Sequence, residues 1–282
     1  MNDLHMRVRR AVLAISVGLI TTVSTYAHAQ ECSWNTVPGR AKSVGTNGSN
    51  TWVIGCNDST NCNDQSNQAI YRFNQTVLPN TFAPEPGLAY RITVSTDGVP
   101  WVINEAGHVF KWNGVNNWTP IPANGSACAG SIAVGHGDDA WVTGCGTGDQ
   151  PIYNWNGVSW VLQTGPLAQT GYNIGILNAL NGTQQPFVLK SSGFNNIFVS
   201  NGSSWSEALG SAKWASENSV LETDGNIYEW AASSGTFNEV DSPAPSMTQF
   251  AGDPLVASDI DILWSVNSSG TISNFSCVFV PR

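Results

Sequence analysis

A short line of the form apolar, aromatic, variable, aromatic recurs along the chain: Ile70-Tyr71-Arg72-Phe73, Val109-Phe110-Lys111-Trp112, Ile152-Tyr153-Asn154-Trp155 and Ile227-Tyr228-Glu229-Trp230. Weaker copies, Ile197-Phe198-Val199-Ser200 and Ile272-Ser273-Asn274-Phe275, bring the number to six. The copies start at 70, 109, 152, 197, 227 and 272, so the steps are 39, 43, 45, 30 and 45 residues. Self-similarity at this period, carried entirely by short strand-like runs, points to a β-propeller with one blade per repeat. All 12 tryptophans fall within the same frame.

The other strands of each repeat fall around that line. A Trp-led strand precedes it at Trp52-Val53-Ile54-Gly55, Trp101-Val102-Ile103-Asn104, Trp141-Val142-Thr143-Gly144 and Trp264-Ser265-Val266-Asn267, with Phe187-Val188-Leu189 and Val220-Leu221-Glu222 as poorer copies. Before that comes a small-residue strand: 41–45, 91–95, 131–135, 173–176, 212–216 and, for the last unit, Leu255-Val256-Ala257-Ser258. A fourth strand opens with Trp118, Trp160, Trp205 or Phe237, with Thr76 to Leu78 as the weak copy in the first unit. Three of the connections into it carry Asn-Gly: Asn113-Gly114, Asn156-Gly157 and Asn201-Gly202. Asn-Gly between apolar runs is a strong hairpin signal, because both residues accept the positive φ of the tightest turns.

The last unit lacks a clear fourth strand, whereas the chain opens with a spare one, Trp34-Asn35-Thr36-Val37. The expected fold is therefore all-β: a six-bladed β-propeller of four-stranded antiparallel blades, its ring closed by the N-terminal strand. Six cysteines allow 15 pairings, and the frame selects three. Pairing the Trp34 and Ile272 strands sets Cys32 beside Cys277. Cys128 just before a first strand meets Cys145 just after its second strand, and Cys56, at the place of Cys145 in its own unit, has Cys62 in the loop that follows. Three bridges suit an exported chain, buried free thiols being the alternative.

Export has its own signal. A basic start, Met6-Arg7-Val8-Arg9-Arg10, an apolar run from Ala11 to Ile20 and the cleavage pattern Ala27-His28-Ala29 make residues 1–29 a signal peptide. Residues 30–282 then form a single propeller domain, secreted or periplasmic and without a membrane span. The 282-residue sequence holds 11 basic and 20 acidic residues, and loss of the leader with Asp3, Arg7, Arg9 and Arg10 leaves 8 against 19. Nucleic acids and anionic membranes need a basic footprint and are poor partners for such a chain. Nine Asn-x-Ser/Thr sequons begin at Asn47, Asn57, Asn74, Asn117, Asn124, Asn181, Asn201, Asn267 and Asn274.

The pattern of a small-residue strand ending in Val-Gly or Val-Ser, an Asp-Gly or Asn-Gly turn, a Trp-led strand and then Ile-Tyr-x-Trp resembles the tectonin repeat of the tachylectin and fish-egg lectin group. The resemblance covers about residues 33 to 276, strongest in the first three units. It implies a propeller that recognises glycans or glycoconjugates through sites repeated from blade to blade, and not an enzyme. The candidate carbohydrate-binding residues are pairs at the turns between first and second strands: Asn47 with Trp52, Asp97 with Trp101, and Asp138 with Trp141. A carboxylate or amide accepts from sugar hydroxyls, and an aromatic face suits the C–H face of a pyranose. The same Asn and Asp residues also suit the turn itself, and most aromatics are needed to fill the space between blades.

No cofactor motif, calcium loop or catalytic constellation is legible. His108 and His136 are the histidines beyond the leader, and neither sits in a nucleophile, metal or phosphate motif. Asp138-Asp139 and Asp259 with Asp261 could hold calcium through oxygen ligands, although turn carboxylates serve as well. A propeller that binds protein, or an enzyme whose site is dispersed over several blades, are the alternatives to a lectin.

Overall fold

The computed structural model describes residues 29–57, 62, 66–74, 81–122, 128–167, 169–178, 183–191, 196–240, 247–251 and 263–280, the side chains of 29–32, 167, 240 and 276–280 excepted. The expected leader lies outside them apart from Ala29, as do residues 76–78, 255–258, Asp259 and Asp261, several of which carry expectations above.

The fold is all-β and built from antiparallel four-stranded sheets. In the second unit Arg91–Val94, Pro100–Ile103, Val109–Trp112 and Trp118–Pro120 pair in succession. The third unit repeats this with Ala129–Val134, Ala140–Gly144, Gln150–Trp155 and Trp160–Leu162. The fourth does so with Asn173–Asn178, Gln184–Leu189, Asn196–Ser200 and the first part of Trp205–Ala215, whose last residues begin the fifth. Apolar residues alternate with polar ones in the outer strands, while the second strands are buried on both faces, as Thr51–Gly55 and Pro100–Ile103 are throughout.

Ala29–Thr46 serves two sheets. Its start pairs with Thr271–Val280, with Trp34 opposite Phe275, and its end pairs with Thr51–Gly55 in the first unit. The N-terminal strand thus completes the last unit, as its spare position in the sequence required. The register makes Cys32 and Cys277 directly opposed Cα partners. The other two pairings are formed as expected, Cys56–Cys62 with Cα atoms 5.5 Å apart and Cys128–Cys145 with 5.3 Å.

The aromatic frame has a packing cause. Trp52, leading the second strand of the first unit, lies 5.3 Å from Trp112 and 6.0 Å from Trp118, both of the second unit. Trp264 of the last unit meets Phe73 at 4.6 Å and Phe82 at 6.0 Å in the first. Phe187 lies 5.7 Å from Phe237, which in turn contacts Trp230 at 5.1 Å. Trp52 and Trp264 each wedge against the end of the third strand and the start of the fourth strand of the next unit, and Phe187, at the equivalent register, meets the fourth strand. Such aromatic pairs contribute about 0.5–1.5 kcal/mol each beyond their burial.

Three sequence expectations are corrected. The first unit's fourth strand is Thr81–Ala89 rather than 76–78, because Phe82 is the aromatic that fills this wedge, opposite Phe73. The last unit's first strand is Met247–Ala251, paired with Leu263–Asn267, rather than 255–258; Phe250, 1 % exposed, supplies the buried side chain. In the Asn-Gly connections only the glycines take positive φ, +83° at Gly114, +91° at Gly157 and +85° at Gly202. The preceding Asn closes the loop with its side chain instead: Asn113 Oδ1 accepts from Val115, Asn116 and Asn117 N–H, and Asn156 Oδ1 from Val158 and Ser159 N–H.

First strands line the interior. One small cavity of about 50 Å³ is bounded by Val44, Ile92, Ile132, Ile174, Ala215 and Phe250, one from the first strand of each repeat unit. Short polar side chains stitch these strands together: Ile92 N–H donates to Ser43 Oγ (3.2 Å), Ile174 N–H to Ser131 Oγ (3.3 Å) and Ala215 N–H to Asn173 Oδ1 (3.0 Å).

Candidate functional site

Antiparallel pairing brings the turns between first and second strands, and the loops between third and fourth strands, to one rim. There Asn47 and Asp97 cross-link neighbouring turns, and Asp138 ties its turn to the third strand of the preceding unit. Asn47 Nδ2 donates to Thr96 O at 3.5 Å, and its Oδ1 accepts from Asn50 N–H at 3.0 Å. Asp97 Oδ1 lies 2.5 Å from His136 Nδ1, while Oδ2 accepts from Gly137 N–H at 2.7 Å. The Gly137 bond, followed by the imidazole, holds the Asp97 carboxyl below its usual range against the opposing effect of burial. Asp138 Oδ2 pairs with Lys111 Nζ at 2.5 Å, and Gln184 Oε1 accepts from His136 N–H at 2.6 Å.

The indoles paired with these residues in the sequence reading stand elsewhere. Trp52 and Trp101 are 0 % exposed, so their faces serve the wedges between sheets and offer no platform to a sugar. This corrects their candidacy on a physical ground: the side chain that heads a second strand points between units. Trp141 is half-buried, its Nε1 donating to Asp139 Oδ1 at 2.8 Å.

A groove of about 580 Å³ opens at this rim between the first and second units, lined by Asn50, Arg72, Gly98, Lys111, Trp112 and Asn113. Asn50 organises it. Its Oδ1 accepts from Trp52 Nε1 and Arg72 Nε, both at 3.0 Å, and its Nδ2 donates to Gly98 O at 2.7 Å across the unit boundary. Arg72 and Lys111 occupy the variable position of the repeated line, opposite Trp52 and Trp101, and each cation lies 5.6 Å from the indole it covers. Arg72 is exposed and bonds through Nε, which leaves its outer nitrogens to face the groove's solvent. The groove therefore presents guanidinium, amide and backbone carbonyl groups above an aromatic floor, at a volume typical of small-ligand sites.

Of the sequence candidates, Trp52 alone lines this groove. Sequence reasoning missed Asn50, Arg72 and Lys111. The signal was present: an Asx residue stands two places before Trp52 and Trp141, and the variable position of the repeated line is polar or charged in five of the six copies. Among the described residues, no group of three or more His, Cys, Asp or Glu could hold a metal ion, and no helix is long and apolar enough to cross a membrane.

No protein-family model and no curated protein matches the sequence. Solved structures do match the fold. A structure described as a gluconolactonase-family protein superposes with a TM-score of 0.54 at 8% identity, covering 89% of this chain and 93% of that one. An ancestral GH74 enzyme gives 0.53 at 13% identity, over 86% of this chain and 42% of the other. U3-55K gives 0.51 at 6% identity, over 87% and 98%. The gluconolactonase and GH74 structures are β-propellers. At such identities the likeness establishes the shared β-propeller fold, which hosts unrelated functions.

Proposed function

We propose that the chain is an exported, non-enzymatic six-bladed β-propeller, its ring closed by the N-terminal strand, that binds carbohydrate in the groove between its first and second blades. The closed ring is supported by the pairing of Trp34 with Phe275, by the aromatic wedge between Trp264 and Phe73, and by the cavity edged by six first strands. Two disulfides fit an oxidising compartment.

The observation that carries the binding role is the groove itself. Sugars need many directional donors and acceptors around a modest apolar surface, and Arg72, Asn50, Asn113 and Gly98 O surround the edge of Trp112 in that way. The tectonin resemblance supports the same ligand class, with the binding groups moved from the buried indoles to the neighbouring polar residues. Arg72→Ala and Asn113→Ala in the mature chain, tested by glycan array and calorimetry, should weaken the best glycan at least tenfold; Arg72→Ala should melt within about 2 °C of the parent and Asn113→Ala, which also loses its loop bonds, about 2–4 °C below it. No glycan bound by the parent, or equal binding by both variants, would sink the proposal. Reducing ends should not accumulate when the bound glycan is incubated with the chain.

A second reading, docking of a protein partner, draws on one observation. Val115 and Val158, 77 % and 78 % exposed, hold the same loop position in adjacent units, and Val161 and Leu162 are exposed nearby in sequence. Val115→Asp with Val158→Asp should leave glycan binding intact and abolish capture of such a partner.

A further inference from the structure

The short polar layer that stitches first strands together holds at Ser43, Ser131 and Asn173 and is interrupted at Arg91 and Trp214. Register sets Ser43, Arg91, Ser131, Asn173, Trp214 and Gln249 at equivalent positions of successive first strands, opposite Ile54, Ile103, Thr143, Leu189, Leu221 and Val266. Ser43, Ser131 and Asn173 each accept an N–H from the next strand. Arginine has no acceptor and cannot do so. Arg91 instead sends its guanidinium to 4.9 Å from the Trp214 ring, joining the second unit to the fifth. Both residues line the interior cavity, together with Ser131 and Glu217.

That placement leaves an imbalance. Arg91 Nη1 is buried and has no hydrogen-bond partner, and no carboxylate among the described residues forms an ion pair with the guanidinium. Burial holds its pKa below the usual arginine range, with Tyr90 opposing the shift, yet arginine remains charged under any ordinary condition. Arg91 as a whole is half-buried, and its buried Nη1 donor is costly unless a negative charge or strong acceptor reaches it. Stacking on Trp214 offsets part of that cost but uses the face of the guanidinium and leaves its N–H edge unmet. Ser131 supplies a second donor: its Oγ accepts from Ile174 N–H, so its own hydroxyl hydrogen is available, and it lines the same cavity.

The geometry points to a binding site for one small monovalent anion, such as chloride, on Arg91 inside the cavity lined by the first strands. The donors select the class: Arg91 Nη1 and the Ser131 hydroxyl each offer a hydrogen, and the cavity has room for a halide. The anion would bond the Nη1 edge that the Trp214 stack leaves open, and by joining the first strands of the second and third units it would stabilise the fold. The site is independent of the rim groove, and neither proposal needs the other.

Thermal melting of the mature chain tests the site directly. Chloride should raise Tm by about 3–5 °C for each tenfold excess over its dissociation constant, whereas gluconate at the same ionic strength should not. Arg91→Ser places there the serine found at positions 43 and 131 and should melt at one temperature in chloride and gluconate. Crystals of the parent chain soaked in bromide give a readout that needs no variant: one anomalous peak within hydrogen-bond distance of Arg91. Equal melting of the parent in chloride and gluconate would overturn the site. So would chloride dependence retained by Arg91→Ser, or bromide absent from Arg91.

Discussion

The Trp52 indole donates to Asn50 Oδ1 at 3.0 Å, whereas Trp101, the same indole one unit later, has Val99 in place of that Asn and buries Nε1 without an acceptor. Both rings are fully buried, so truncation to Ala should cost about 3–5 kcal/mol at either. Phenylalanine separates them. Trp52→Phe loses a buried hydrogen bond and should cost about 1 kcal/mol more than Trp101→Phe, which only removes an unmet donor. Denaturant melts of the two variants decide it, and equal costs would mean that the Asn50 bond adds nothing net.

Asp97 ties the second unit's turn to His136 and Gly137 of the third. Its folded pKa is depressed, so its contribution is present above the ordinary carboxylate pKa and is lost as pH falls through the lower folded value. The carboxylate is 36% exposed, which limits the effect. Asp97→Asn should lower Tm by about 1–3 °C at pH 7, and the gap to the parent should close below about pH 4. A gap that persists at pH 2 would assign the loss to something other than charge.

Cys32 and Cys277 are opposed on paired strands, and a bridge between them would close a loop of 277 − 32 = 245 residues. Non-reducing peptide maps should recover that link beside Cys56–Cys62 and Cys128–Cys145. Cys32→Ser should then destabilise the chain by up to about 5 kcal/mol. A free Cys32 thiol in folded protein would refute the bridge.

The Asn-Gly loops depend on the Asn side chain more than on its backbone. Asn156 Oδ1 accepts two N–H groups, so Asn156→Ala should cost about 1 kcal/mol. Asn156→Gly, the better residue for a turn with two positive φ values, should not rescue it. Rescue by glycine would restore the tighter turn that the dipeptide first suggested.

Repetition made the local structure legible. Each unit carries the same alternation and the same aromatic spacing, so strands, their antiparallel order, the spare Trp34 strand and the Cys56–Cys62 and Cys128–Cys145 pairs could all be read from the chain. Where a copy had drifted the frame failed: Phe82 and Phe250 hold their positions through packing against neighbouring sheets, which no local pattern announces. The orientation of side chains across unit boundaries was likewise decided in three dimensions. A tryptophan heading a strand reads equally as platform or wedge, and only the adjoining unit, pressing Trp112 and Trp118 onto Trp52, makes it a wedge. Asp97 reads as a turn residue until the next turn supplies His136, and Arg91 as a strand residue until the interior sets Trp214 against it. Strand formation depends on near neighbours, which the sequence lists in order; burial and charge pairing depend on residues about 40 to 190 positions away, which only the assembled sheets bring together.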